Sequence, residues 1–193
     1  MLTVNEAGHG PRIAALGPLR AWAGGFALHP GSPEQRAVLA MLALRAGRPV
    51  ALGDLVDGVW GAEAPADASG AVRACALRIR RTLALGRTAR ECRASGSLFL
   101  HLVGDGYVLE IDPERVDALV FERLIIRAAR MQWRSAGESG ELLDRALALW
   151  SGTALTGVVG PFAAAERLRL ERLRLSAIEL AVLPSAELLE PTR

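Results

Sequence analysis

Seven arginines fall between Arg73 and Arg93 against one acid, Glu91. Guanidinium groups with so little carboxylate beside them are suited to holding phosphates and, through their planar fork, the edge of guanine. Spacing sharpens this. At 100° per residue a helix over residues 68–83 puts Val72, Ala76, Ile79 and Leu83 on one face, with Cys75 at its edge. Arg73, Arg80, Arg81 and, more laterally, Arg78 fall on the other face. Leu77 lies near the centre of that arginine face, where it could touch a thymine methyl or form an apolar patch for a protein partner. Arg87, Arg90 and Arg93 lie in a predicted loop over 84–97, as backbone contacts or as a solvated stretch.

Little else in the chain points to chemistry. His9, His29 and His101 are far apart and have no carboxylate pattern around them. Cys75 and Cys92 are too few for a disulfide framework or a zinc site. Gly8-His9-Gly10 is too short for a phosphate loop, and the acids Asp112, Glu114, Asp117 and Glu122 read as a solvated linker and helix start. Trp60 and Trp150 sit at helix ends as core anchors. The expectation is a chain that is not an enzyme, with no catalytic residue, no metal and no cofactor.

The basic helix needs elements to position it. A hairpin follows: Leu98 to Val103, a Gly104-Asp105-Gly106 turn, then Tyr107 to Ile111. Upstream, short strands are expected at Ile13–Leu16, Leu19–Trp22 and Phe26–Leu28, broken at Gly17-Pro18 and Gly24-Gly25. Ser32, Pro33 and Gln35 then open a helix with a capping box, which runs to about Ala46 and stops at Gly47. A second helix, about Leu52 to Trp60, carries Gly53 and Gly58, each costing about 1 kcal/mol against alanine, and Ala51 offers it no cap. Pro65 and Asp67 open the third helix. A basic helix followed by a hairpin is the layout of a winged helix, with the helix for a DNA groove and the hairpin for the neighbouring backbone.

Beyond Asp112-Pro113 the pattern becomes helical: about Ala118 to Ala136, Glu138 to Trp150 after a break near Gly137, a Gly- and Thr-rich loop over 151–160, and a long helix from Pro161 to about Leu183, stopped by Pro184. Two antiparallel helices and a third look like the start of a helical repeat array. The predicted fold class is therefore α+β: a winged helix-turn-helix domain over 11–111, then a short all-helical, TPR-like domain over 112–184, with residues 1–10 as a leader and 185–193 as a tail.

Composition fits two small domains. The chain has 193 residues, half of them apolar, and no lysine. Its net charge of +2 hides an uneven spread: residues 61–100 carry seven Arg against Glu63, Asp67 and Glu91, while 101–150 carry six Arg against nine acids. A basic module beside an acidic one suits a DNA-binding part next to a part that does not bind DNA. Arg12 and Arg20 interrupt any signal-peptide core, and no apolar run approaches the roughly 20 residues of a membrane span. A cytoplasmic protein without membrane partners is expected.

The residues resemble the SARP-type (Streptomyces antibiotic regulatory protein) transcriptional activators over about 12–181. In the first half the likeness lies in Leu16-Gly17-Pro18-Leu19 with Trp22, Gln35-Arg36-Ala37, Gly47-Arg48-Pro49-Val50, Trp60-Gly61 with Pro65, Leu77 to Leu83, and Gly106-Tyr107 before Leu109. In the second it lies in Val116-Asp117, Phe121 to Leu124, Ala146 to Trp150 with Gly152, Pro161-Phe162, and Glu166 to Leu173. The resemblance implies a response-regulator-type winged helix joined to a helical bacterial transcriptional activation domain. It also implies binding of double-stranded DNA through Arg73, Leu77, Arg78, Arg80 and Arg81, and control of a biosynthetic gene cluster. The helical domain would touch RNA polymerase or a second copy, as in a homodimer. The chain departs from the family pattern at Cys75 and Leu77, at Leu102-Val103 in the wing, and in having about three helices where the family's helical domain continues. A second reading follows from those departures: a protein-interaction module, antagonist or accessory subunit that no longer reads DNA.

Overall fold

The computed structural model describes residues 10–85 and 99–182. Residues 1–9 of the leader expected over 1–10, Arg87, Arg90, Cys92, Arg93, Leu98 and the tail over 185–193 lie outside the described residues. The chain opens with an antiparallel meander, β1 (Arg12–Ala14), β2 (Arg20–Ala23) and β3 (Phe26–Leu28). These strands are shorter than the sequence predicts or shifted by a residue, except the third. Residues 15–19 leave the sheet to bond elsewhere, as shown below.

Helix α1 (Pro33–Leu44) starts as its caps require: the Gln35 amide donates to Ser32 Oγ at 3.4 Å, and the Ser32 amide donates to Gln35 Oε1 at 2.9 Å. Every residue from Ala37 to Leu44 is buried, so α1 is the centre of the core. It is too apolar all round to be a surface helix. After it comes a strand that local periodicity did not reveal, β4 (Val50–Ala51), and then α2 (Leu52–Trp60), which lacks a side-chain cap as expected. Its glycines are not both idle costs. A Cβ at Gly58 would collide with the end of the Met41 side chain and press on Phe162.

A 3-10 turn (Gly61–Glu63) leads to α3 (Ala68–Leu85). The hairpin follows as β5 (Leu100–Val103) and β6 (Gly106–Leu109), and β4 adds to it as a third strand in the order β4-β6-β5. Val50 pairs with Tyr107 and Ala51 with Gly106. A side chain at Gly106 would run into the Val50 carbonyl oxygen, so only glycine lets β4 come this close. The Gly47 amide, donating to the Leu109 carbonyl at 2.9 Å, pins the end of α1 to the same sheet.

A second 3-10 turn (Pro113–Arg115) precedes α4 (Asp117–Met131), α5 (Ala136–Leu147) and α6 (Pro161–Val182). The α4–α5 break lies at 132–135, not near Gly137. Ser135 Oγ accepts from the Glu138 amide at 3.4 Å and fixes the start of α5, leaving Gly137 inside the first turn. α5 ends three residues before Trp150. The Trp150 ring meets Phe121 edge-on at 5.4 Å between centroids and takes the Arg174 guanidinium over its face at 4.6 Å.

Residues 151–160 form a loop, as expected, but Asp117 is not the solvated helix start that the sequence suggested, and both bond to residues 15–19. The Ser151, Leu155 and Thr156 amides donate to the carbonyls of Leu16, Ala15 and Gly17 at 2.8, 2.8 and 3.1 Å. The Leu19 amide returns a bond to the Thr156 carbonyl at 3.2 Å. The Asp117 carboxylate accepts from the amides of Ala15 at 2.7 Å and Leu16 at 3.2 Å, about a hundred residues away. Burial pushes its carboxyl above the ordinary range, against the pull of those donors, the Ala118 amide and Arg12. The backbone of 15–19 is thus satisfied by the second half of the chain. Asp117→Ala would leave the Ala15 and Leu16 amides without an acceptor, a loss of about 1–3 kcal/mol. In urea unfolding, Asp117→Ala should therefore lower the midpoint clearly, Asp117→Asn less so, and exposed Glu141→Ala hardly at all. An unchanged midpoint in Asp117→Ala would show that the carboxylate carries none of this linkage.

Candidate nucleic-acid interface

Helix α3 is placed by its apolar face. Val72, Cys75, Ala76, Ile79 and Leu83 are buried against α1 and the neighbouring elements. Cys75 is buried at the edge of that face, and burial pushes its thiol upward. The opposite face is open: Arg73, Ala74, Leu77, Arg78 and Arg81 are all exposed. Arg73, Leu77 and Arg81 stand one turn apart in a single row, since side chains at i and i+4 share a face. The structure therefore brings together four of the five predicted residues, Arg73, Leu77, Arg78 and Arg81, and adds Ala74, which charge counting passed over.

The fifth residue, Arg80, is half-buried at the flank of α3, and its Nε is shielded from solvent with no hydrogen-bond partner. At 100° per residue it lies only 80° from Val72, closer to the apolar face than to Arg81, which corrects its expected place on the opposite face. Its stem therefore has a packing role that the other arginines lack. None of Arg73, Arg78, Arg80 and Arg81 forms an ion pair with another described residue. Some arginines of the helical segment are engaged instead. Arg169 on α6 bonds Glu166 and Glu122, and Arg167 donates to the carbonyls of Ala154 and Leu155 at 3.0 and 3.2 Å. What sets the α3 face apart is that three exposed arginines without an ion pair, Arg73, Arg78 and Arg81, share one helix face just before the hairpin.

Beside this face a shallow groove is lined by Ser32, Glu34, Trp60, Ala71, Ala74, Cys75 and Arg78. Glu34 is the acid there. A hydrogen bond from the Ser32 hydroxyl at 2.6 Å, helped by Arg36, holds its carboxyl below the ordinary range. The cationic row is thus bounded on one side by a fixed negative charge. The hairpin presents Leu102 at 65% and Val103 at 48% exposure beside its turn, where Gly104 takes φ of 60°. His101 Nε2 lies 3.3 Å from Glu110 Oε2 at the base of the wing. Among the described residues no three His, Cys, Asp or Glu side chains gather as a metal site would need. No described helix is long and apolar enough to cross a membrane.

This arrangement, an α+β unit whose exposed basic helix precedes a hairpin and then a helical segment, has counterparts among known proteins. The family model described as "Bacterial transcriptional activator domain" matches residues 116–188. Regulatory protein AfsR of Streptomyces coelicolor is 41% identical over 171 residues, covering 87% of this chain. Regulatory protein DnrI of Streptomyces peucetius is 36% identical over 175 residues, again 87% of this chain. The chain is thus similar to regulators of the SARP type over most of its length. A solved structure, Mycobacterium tuberculosis EmbR in complex with a low-affinity phosphopeptide, superposes with a TM-score of 0.75 at 25% identity over 87% of this chain. The chain spans 16% of the length of AfsR, 62% of DnrI and 43% of the EmbR chain.

The placement of the arginines can be checked without any ligand. Arg73→Ala with Arg81→Ala should leave thermal stability within about 0.5 kcal/mol of the parent, as exposed substitutions do. Arg80→Ala should cost on the order of 1 kcal/mol through its lost stem packing. A double variant that melts earlier than Arg80→Ala would contradict the division of α3 into these faces.

Proposed function

We propose that this chain is a SARP-type, DNA-binding transcriptional regulator that controls a biosynthetic gene cluster. In this reading residues 11–111 form the DNA-binding unit and 112–184 part of the activator domain. Helix α3 enters the major groove, with Arg73, Arg78 and Arg81 on phosphates and guanine edges and Arg80 reaching backbone from the flank. The β5–β6 wing meets the adjacent phosphate backbone, and α4–α6 contact RNA polymerase or a second copy. The reading calls for no catalytic group, cofactor, metal or membrane. The row of free, exposed arginines on a helix just before a hairpin carries it, together with the likeness to proteins named as regulators.

A second reading has its own observation. Leu77, Leu102 and Val103 are exposed apolar side chains on the elements that would face DNA. An antagonist or accessory subunit that binds protein through them would show the same exposure.

A salt titration separates the two. With two to four of these arginines on phosphates, at about −0.9 per phosphate, the log–log dependence of affinity on salt should have a slope of about −2 to −4. The measurement is fluorescence anisotropy on a duplex from the protein's own gene neighbourhood, with random duplex as control, across a range of salt concentrations. A flat salt response, or no binding at micromolar protein in low salt, would favour the interaction module.

A further inference from the structure

Leu77 is 46% exposed at the midpoint of a row whose other members, Arg73 and Arg81, are cations. Arg78 lies next to it, and Ala74, also exposed, sits one turn before it. Single exposed leucines are ordinary, and Leu168 and Leu175 are more exposed than Leu77; what sets Leu77 apart is its place between two cations of one row. In a groove it cannot join the phosphate contacts, because it has no donor. Among the groups the major groove displays, its counterpart is the methyl on C5 of a pyrimidine.

We propose that Leu77, with Ala74 leaving room beside it, reads a pyrimidine C5-methyl between guanines held by the flanking arginines. This inference rests on the DNA-binding reading above and names what that site selects. Neighbours four apart on the helix are spaced by about 6 Å along its axis, close to two base steps of about 3.4 Å. The preferred site is therefore a methylated pyrimidine with a guanine within one or two base pairs on either side. In unmodified DNA that pyrimidine is thymine, and 5-methylcytosine carries the same group.

The test begins with selection from a random duplex pool by the whole chain, followed by affinity measurements on the enriched site. Replacing the central thymine by uracil removes only the methyl and should weaken binding about fourfold, the worth of one buried carbon at about 0.8 kcal/mol. Changing that T·A pair to C·G and then to 5-methylcytosine·G should show binding regained with the methyl. Leu77→Ala, checked by its melting curve to be folded, should bind the thymine and uracil duplexes equally, while Leu77→Met should keep the difference.

Enrichment with no uracil-sensitive thymine would overturn this inference and leave the DNA reading standing. Uracil sensitivity that survives Leu77→Ala would also overturn it, placing the methyl contact on Leu102 or Val103 of the wing. If no sequence is enriched and no salt-dependent binding appears, the DNA reading itself fails and this inference with it.

Discussion

The structure depends on how the backbone of residues 15–19 is satisfied. This segment lies between two short strands and is buried, so its amides and carbonyls need partners from within the protein. It finds them in the second half of the chain: the Asp117 carboxylate takes two amides, and residues 151–156 take three carbonyls and return one bond. Ile13 and Val116 form a parallel bridge beside this contact, and Arg115 Nη1 donates to the Gly10 carbonyl at 2.8 Å. A buried carboxylate whose ionised form is disfavoured there is retained only where its hydrogen bonds matter. Here they hold the N-terminal sheet to the start of α4.

The same joint bears on the helix that carries the arginines. α1 is buried from Ala37 onward and packs on α2, α3 and α6. Gly58 and Gly160 let the end of α2 and the start of α6 approach so closely that side chains there would collide with Met41 or with the Val59 carbonyl. One continuous set of buried residues therefore runs from the β1–β3 sheet through α1 to α6. A shift of the helical segment would have to move through this packing to reach α3, and close-packed interiors transmit displacement rather than absorb it.

What the sequence displayed and what it hid follow from the range of the interactions involved. Ser32 and Gln35 sit three residues apart and write the start of α1 into four letters; the apolar period of Val72, Ala76, Ile79 and Leu83 orients α3 just as locally. The hairpin was visible because its turn is glycine on both sides of Asp105. β4 was not, since two residues have no period and Val50 becomes a strand only by pairing with Tyr107. Asp117 read as solvated because it is an acid among acids, while its partners, like those of the 151–156 loop, lie about a hundred or more residues away. Polarity marks a need for partners, and water is only one way to meet it.

Within α3 the same distinction decides which residues are informative. Arg80 and Leu77 are each placed against their own chemistry, the cation half-buried and the leucine half-exposed. For Arg80 the fold explains the inversion, because its aliphatic stem covers the core edge and only the head needs a polar partner. Leu77 is not among the side chains packed on the core, and arginines stand on either side along its row. In the proposed reading it meets an apolar group on the partner of this helix, as the arginines beside it meet the partner's charge.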